Sequence, residues 1–227
     1  MAHGYASQLA TVATDLFGEV SPERAATGVV DHALRLTDGE CGAVTVTSAR
    51  SKPSVMGASS PEAEKADQLQ LEYGEGASRE AMVAEGTVVV DDAETDGRWP
   101  RWQESIVGLG FRSAMAVRLA TKQAPLGTLS LYAKGVGAFS NTAVDIARVY
   151  AVHASMAVAS AKHASGLRQA IDARHAIGQA QGILMERHGL GGDQAFATLR
   201  QRARDQKVSL SEYAVMVINS RGFSPLG

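Results

Sequence analysis

The sequence predicts an α+β protein: an antiparallel sheet with flanking helices, then a long connecting helix, then a C-terminal three-helix bundle. Three observations predict this order. Helical patterns alternate with β-branched segments over about the first 160 residues, which is typical of the α+β class. Residues 140–189 contain no proline and have a helical pattern nearly throughout. Three amphipathic patterns joined by short turns then occupy residues 167–219, and together they can share one small core.

Two helices are predicted at the start of the chain. Residues 6–17 place apolar residues at helical spacing. Ser21 and Pro22 predict the start of the second helix, because serine is a favoured N-cap and proline is tolerated at the first helical position. Asp38 and Gly39 are predicted to end it.

The sheet segment alternates strands with helices. Pro61 is predicted to begin a helix that runs to about Tyr73 and is closed by the sequence Gly74-Glu75-Gly76, and residues 78–84 form a shorter helix. Residues 94–102, which include both tryptophans, are predicted to be a loop. β-branched or alternating patterns predict strands at residues 43–47, 53–59, 87–90, 110–119 and 127–132.

The long connecting helix begins at Ser140 or Asn141, either of which can cap it. Its first half has few polar positions, so one side is predicted to pack on the sheet and another on a second subunit. Complete burial within one domain is the alternative. The sequence Ala164-Ser165-Gly166 is the weak point of this helix, and the predicted domains are therefore residues 1–160 and 161–227.

The stretch from Ile177 to Met185 has two unlike faces. Spacing residues about 100° apart around a helix axis places its apolar residues on one arc, as expected of a core-facing stripe. Glycine costs about 1 kcal/mol in a helix interior relative to alanine, so two glycines four residues apart suggest that something approaches closely. That neighbour is either a second helix or a partner. The opposite arc carries Arg174, Gly178, Gln181, Gly182 and Met185.

Two shorter helices complete the bundle. Gly191 is the predicted N-cap of the first, in which Arg200 and Arg204 project together from the edge of the core face. Ser209 and Glu212 form a capping-box pattern at the start of the second. The predicted core residues of these helices are Ala195, Phe196, Leu199, Ala203, Leu210, Tyr213, Ala214, Val217 and Ile218.

Composition is that of an ordinary globular protein, with 45% hydrophobic and 20% charged residues. The formal net charge is −2, but residues 165–227 hold eight basic and five acidic residues, which makes this part the candidate for a polyanionic partner. The single cysteine, Cys41, excludes a disulfide framework and a cysteine-based metal site. The sequence has no membrane-length apolar run and no signal-peptide pattern, so a cytoplasmic location is expected.

Two other classes of function are disfavoured. No phosphate-binding glycine loop, metal-spaced cluster or convincing nucleophile-base pair is present, which argues against an enzyme and against a resident metal or cofactor. A DNA-binding helix-turn-helix needs base-reading side chains on its recognition helix. The third helix of the bundle is largely apolar and has no basic residue before Arg221.

The first 160 residues resemble a GAF domain, a small sensor fold with a ligand-sized pocket. The resemblance covers roughly residues 20–160 and is carried by the paired helices and three motifs: Leu71-Glu72-Tyr73-Gly74-Glu75-Gly76, Val90-Asp91-Asp92 and Gly127-Thr128-Leu129-Ser130-Leu131-Tyr132. It implies a pocket that either holds an unidentified small molecule or holds nothing. If the pocket holds nothing, the domain is a dimerisation scaffold. Related sensors often have Gly-Pro-Cys after the Glu-Gly pair. Gly76-Ala77-Ser78 stands here instead, which excludes a cysteine-dependent chemistry at that position.

Residues 167–219 resemble an ANTAR domain, the three-helix RNA-binding module of bacterial transcription antitermination regulators. Many members have lysine where Gln181 stands, and this chain also departs from the family at Lys207 and Ser209. The residues that carry the resemblance are Arg174, Ile177, Ala180-Gln181-Gly182-Ile183-Leu184-Met185, Gly189, Ala195-Phe196, Leu199-Arg200, Ala203, Leu210 and Ala214.

The two resemblances together imply a dimeric regulator in which a sensor controls the binding of paired RNA hairpins in nascent messenger RNA, so that a terminator hairpin cannot form. The alternative is a ligand-binding sensor whose C-terminal helices bind a protein. Planar arginine donors, glutamine amides and glycine backbone suit phosphates and splayed bases. The residues expected to contact RNA are Arg174, Gly178, Gln179, Gln181, Gly182, Met185, Arg187, Arg200, Arg204 and Lys207.

Overall fold

The computed structural model describes residues 21–48 and 51–220. The predicted first helix, at residues 6–17, lies outside the described residues. A five-stranded antiparallel sheet has the strand order β2-β1-β5-β4-β3, as the α+β prediction requires. Its strands are β1 (Cys41–Ser48), β2 (Ser51–Ala58), β3 (Thr87–Val90), β4 (Ser113–Ala120) and β5 (Pro125–Ala133).

The helices of the first unit begin and end at local signals. The hydroxyl of Ser21 accepts from the backbone N–H of Arg24, which confirms the predicted cap. Gly74, with φ of +70°, ends the second helix in the left-handed region that glycine adopts without strain. The helices are α1 (Pro22–Leu36), α2 (Pro61–Tyr73), α3 (Ala77–Val83) and α4 (Pro100–Gly108).

The two faces of the sheet bury separate cores, because side chains alternate between faces along each strand. Met115, Val117 and Leu129 point to the side covered by α1 and the first part of the long helix. Ala114 and Tyr132 point to the side covered by α2, α3 and α4. The sheet is therefore covered on both faces.

Helix α4 corrects the end of the predicted loop at residues 94–102: residues 94–99 lie outside helices and strands, whereas residues 100–102 are helical. Trp102 and Ile106 are fully buried on its inner face. The side chain of Trp99, the N-cap residue, makes no capping hydrogen bond. Instead, a carboxylate oxygen of Glu75 accepts hydrogen bonds from the backbone N–H groups of Arg101 and Trp102, at 2.9 and 3.1 Å. The stabilising group lies 26 residues earlier in the sequence, so a local pattern does not reveal it.

The long helix, α5 (Asn141–His188), confirms the prediction of a proline-free helical run, and the Ser140 hydroxyl caps it at Ala143. The chain divides into two compact units, Met1–Ala164 and Ser165–Gly227. We call them the sensor unit and the C-terminal unit. Among the described residues, no helix is long and apolar enough to cross a membrane.

The C-terminal unit contains the end of α5 together with α6 (Gly192–Asp205) and α7 (Leu210–Asn219). The Ser209–Glu212 capping box is present, with both reciprocal hydrogen bonds. Phe196, predicted to lie in the core, is 39% exposed and does not pack with it, because the adjacent small residue Ala195 occupies the inward position. The buried core is Ala180, Leu184, Ala195, Leu199, Ala203, Tyr213, Ala214 and Val217.

Candidate nucleic-acid interface

The outward face of α5 in the C-terminal unit is open. Arg174, Gly178, Gly182 and Met185 are exposed, and Gln181 is half-buried at its edge. A Cβ built on Gly178 or Gly182 would meet no atom within 4 Å outside the helix's own nearby backbone. Within the described residues, tight packing of a second helix therefore does not explain the two glycines.

Gln181 borders this face on the side of α6. Its amide nitrogen donates to the carbonyl oxygen of Gly192 at 2.9 Å, which ties α5 to the first turn of α6. The sequence predicts that Gln181 reads bases. The structure adds a structural role, because one end of the amide is already engaged within the protein.

The other border of the face lies against α7. Gln179 is exposed, and Arg187 donates to the carbonyl oxygen of Ser220 at 3.3 Å. A surface depression of about 510 Å³ lies here. Its lining residues are Gln179, Gly182, Ile183, Glu186, Arg187 and Ile218.

Helix α6 carries two of the predicted cations on its outer side. Arg204 donates to the side-chain oxygen of Gln201 at 2.6 Å, so it has an intrahelical partner. Arg200 is exposed and has no hydrogen-bond or ionic partner among the described residues. Its guanidinium is thus available to an external acceptor.

Lys207 lies in the turn that ends α6, with φ of +56°. The backbone N–H of Lys207 donates to the carbonyl oxygen of Arg204, and the backbone N–H of Val208 donates to the carbonyl oxygen of Ala203, each at 3.0 Å. This pair of bonds is the Schellman motif, in which glycine usually occupies the left-handed position. The motif fixes the backbone at Lys207 and leaves the side chain exposed.

The arginines and the lysine that the structure describes in the C-terminal unit lack carboxylate partners. Between residues 165 and 220, no Lys or Arg nitrogen lies within 4.0 Å of a carboxylate oxygen of another described residue.

The ten residues predicted to contact RNA fall into two groups according to the helix that carries them. Seven of them lie on α5: Arg174, Gly178, Gln179, Gln181, Gly182, Met185 and Arg187. The other three lie on α6 and its final turn: Arg200, Arg204 and Lys207.

The sensor unit contains a cavity of about 590 Å³ between β1, β5, α2 and α3. Asp67, Gln70 and Ser78 lie on its inner side, whereas Lys52 and Arg79, both exposed, lie at its edge. The cavity has the size expected for a small-molecule site.

A buried hydrogen-bond network underlies this cavity and was not predicted from the sequence. The carboxylate of Asp67 accepts from the Thr45 hydroxyl at 2.6 Å, from the Tyr132 hydroxyl and from the Gln70 amide at 3.0 Å. Burial raises the pKa of Asp67, and these donors oppose the shift. Burial also raises the pKa of Tyr132 well above its usual value, so its hydroxyl remains a donor.

The described residues contain no group of three or more His, Cys, Asp or Glu side chains placed to hold a metal ion. Cys41 is buried, and desolvation raises the pKa of its thiol to about 11. At neutral pH this thiol is protonated and is a poor nucleophile.

Comparison with protein families matches both units of the chain. The model of the GAF domain matches residues 19–159, and the model of the ANTAR domain matches residues 165–218. No curated protein matches the sequence.

Solved structures resemble the chain in fold. The GAF domain of a phosphoenolpyruvate-protein phosphotransferase from Coxiella burnetii is 15% identical, with a TM-score of 0.57, over 71% of this chain and 96% of that one. Free methionine-R-sulfoxide reductase from Neisseria meningitidis, solved with its substrate, is 17% identical, with a TM-score of 0.54, over 73% and 91%. A bacteriophytochrome from R. palustris is 12% identical, with a TM-score of 0.58, over 87% and 46%.

Proposed function

The chain belongs to the GAF domain family over residues 19–159 and carries an ANTAR domain at residues 165–218, and from this premise we propose that it is a cytoplasmic RNA-binding antitermination regulator. Both domains are regulatory. In the proposed function, the ANTAR domain binds paired hairpins in a nascent leader transcript and prevents an overlapping terminator from forming. The observation that carries the proposal is the open face of α5 in a unit whose described cations have no carboxylate partner.

This arrangement suits an RNA hairpin loop. Phosphates attract cations without regard to sequence, whereas unpaired bases in a loop offer edges to side-chain donors and acceptors. In the proposed complex, Arg174 and Arg200 bind phosphate, and Gln179 faces a base edge. Gly178 and Gly182 admit the RNA to within contact of the helix backbone, since no described residue occupies that space.

The proposed partner of the sensor unit is a second copy of the chain. Val149, Val152 and Met156 project from α5 and are more than half exposed. These side chains follow one another at helical spacing, so they form an apolar stripe of the kind that a second helix covers. Charge introduced by Val152→Glu is expected to convert the dimer to a monomer in sedimentation equilibrium.

The proposed signal is a small molecule in the sensor cavity. Polar groups of the Asp67 network lie on its inner side, with Lys52 and Arg79 at its edge. In the proposal, occupancy of the cavity biases how the RNA-binding helices are presented.

A gel-shift titration of the full chain against a two-hairpin leader RNA tests the proposal. We expect binding whose affinity falls steeply with salt, because phosphate neutralisation releases counterions. A matched control is Arg148→Ala in the sensor unit, where Arg148 contacts Thr87 and lies 3.6 Å from Asp145. This variant should bind as the wild type does.

Absence of salt-dependent binding to any such RNA would contradict the proposal. If the C-terminal unit instead retains a protein when the full chain is purified from its own cell, the alternative function as a protein-binding sensor would be favoured.

A further inference from the structure

An aromatic side chain stands on the outer surface of α6. Of the two aromatic residues described in the C-terminal unit, Tyr213 is buried in the core and Phe196 is 39% exposed. No other described ring or cation stacks on Phe196. One face of a large apolar side chain is therefore left to solvent on a short polar helix.

Two arginines lie along the same side of α6 as Phe196. Arg200 is one turn further on and Arg204 two turns, because residues four apart in a helix share a face. Arg200 has no partner among the described residues, and no described carboxylate lies within 4.0 Å of Arg204. The acidic residue of this first turn, Asp193, lies at the helix N-terminus, where the positive end of the helix dipole offsets its charge.

Phe196 lies one helical turn after Gly192, the residue that links α6 to the border of the open face of α5. Side chains on a helix lean towards its N-terminus, so the ring covers the turn that begins at Gly192. The Gly192 carbonyl is the group that accepts from Gln181, the residue at the border of that face. The backbone of Phe196 is thus one helical turn, roughly 5.4 Å along the axis of α6, from the residue that Gln181 contacts.

We propose that Phe196 is a stacking platform for an unpaired base of the RNA hairpin loop, a role that rests on the proposed function. A base presents a flat apolar surface and carries phosphates on either side, and an aromatic ring followed by unneutralised guanidinium groups complements both. An apolar protein surface would complement the ring alone and would bury Arg200 without a counter-charge, which is costly.

Binding of the full chain to a two-hairpin RNA with 2-aminopurine in its loops tests this role. Phe196→Leu removes the ring but keeps an apolar side chain. It is expected to weaken binding by roughly ten- to a hundred-fold and to abolish the quenching of 2-aminopurine, since base stacking on an aromatic side chain is worth that much. Phe196→Tyr keeps the ring and should retain both affinity and quenching.

The salt dependence separates stacking from charge. Phe196→Leu should leave the slope of log affinity against log salt unchanged, whereas Arg200→Ala should reduce it by about one. Far-UV circular dichroism of Phe196→Leu provides the check that the helices remain folded.

The outcomes distinguish the two proposals. If the wild type binds no hairpin RNA, the proposed function fails. If the wild type binds and Phe196→Leu binds equally well with quenching intact, RNA recognition stands and the stacking role of Phe196 is overturned.

Discussion

The two units of this chain differ in whether their charged side chains have partners within the protein. In the sensor unit, Arg112 pairs with Asp92 and Glu94 at 2.9 and 3.0 Å, and a buried carboxylate is held by three donors. In the C-terminal unit, no described Arg or Lys has a carboxylate partner. Groups that are satisfied internally stabilise a fold, and groups left unsatisfied at a surface are available to a partner. This difference supports the proposal that the C-terminal unit binds a polyanion.

The largest effect is expected from breaking the internal network of the sensor unit. Asp67→Ala leaves Thr45, Tyr132 and Gln70 without their shared acceptor, and unfolding free energy should fall by about 3 kcal/mol. Both tryptophans of the protein lie in this unit, so urea denaturation followed by tryptophan fluorescence measures it selectively. Asp67→Asn keeps one acceptor oxygen and should lose less. Equal stability of Asp67→Ala and the wild type would show that the network does not stabilise the unit.

The same carboxyl gives the sensor unit a pH dependence. Its pKa is raised in the folded state from the ordinary value of 3.8, so the folded protein binds this proton more tightly than the unfolded chain does. The resulting stabilisation is fully present below the unfolded pKa and is lost as pH rises through the raised folded pKa. The stability of the wild type relative to Asp67→Asn should therefore fall as pH is raised from the unfolded value of 3.8 through the raised folded pKa, in the same denaturation experiment. A difference that rises over this interval would reverse the assigned sign.

Removal of an arginine should weaken RNA binding when the arginine lies in the C-terminal unit, but not when it lies in the sensor unit. Arg174→Ala is expected to weaken hairpin binding about ten-fold and to lower the salt slope by about one. Adding Gln181→Ala should abolish binding, with helix content retained in circular dichroism. Arg112→Ala is the matched control, because that arginine is already paired and its loss should destabilise the sensor unit without changing RNA affinity. Survival of binding in the double variant would make the α5 face structural.

Replacement of glycine by alanine should have opposite effects on stability in the two units. Gly127 has φ of +153°, and a Cβ there would overlap the Thr45 carbonyl oxygen, so Gly127→Ala should destabilise the sensor unit. Gly178→Ala and Gly182→Ala meet open space, and each should stabilise α5 by about 1 kcal/mol in thermal unfolding. RNA affinity of these two variants should nevertheless fall, because the added methyl groups occupy the proposed path of the RNA. Unchanged affinity would mean that the RNA does not reach these glycines.

The smallest effect is expected at the end of α6. Lys207→Gly relieves the left-handed conformation of a residue with a side chain and should stabilise the C-terminal unit by about 1 kcal/mol. It also removes one positive charge, so RNA affinity should fall uniformly across sequences, with a salt slope lower by about one. Lys207→Asn, which also tolerates this conformation, is the matched control for stability. Loss of stability in Lys207→Gly would contradict the strain assigned to this turn.

Local signals account for what the sequence predicted well. Ser21 and Ser209 cap helices through atoms within three residues, so their roles could be read from the sequence. Helix α4 was not predicted, although Pro100 at its start is a local signal like Pro22; the carboxylate that caps it comes from Glu75, 26 residues earlier. The Asp67 network likewise joins Asp67 to Tyr132, 65 positions away. Sequence proximity does not reveal such partners.

Within the site, burial and exposure were harder to assign than helix position. Phe196 is apolar and adjoins Ala195, which favoured its assignment to the core. Its spacing of four residues from Arg200 matches the polar side of α6, and this periodicity was the available signal. For Gln181, the contact with Gly192 depends on how two helices meet, which residue type alone does not determine.

The Glu75 carboxylate has a consequence that can be observed by amide hydrogen exchange. It holds the first N–H groups of α4, and its neighbour Gly74 lines the sensor cavity. A bound molecule that orders this turn would slow exchange at Arg101 and Trp102, whereas opening of the turn would release both amides together. We therefore expect exchange at these two amides to change when a molecule binds in the sensor cavity, whatever the chemical class of that molecule.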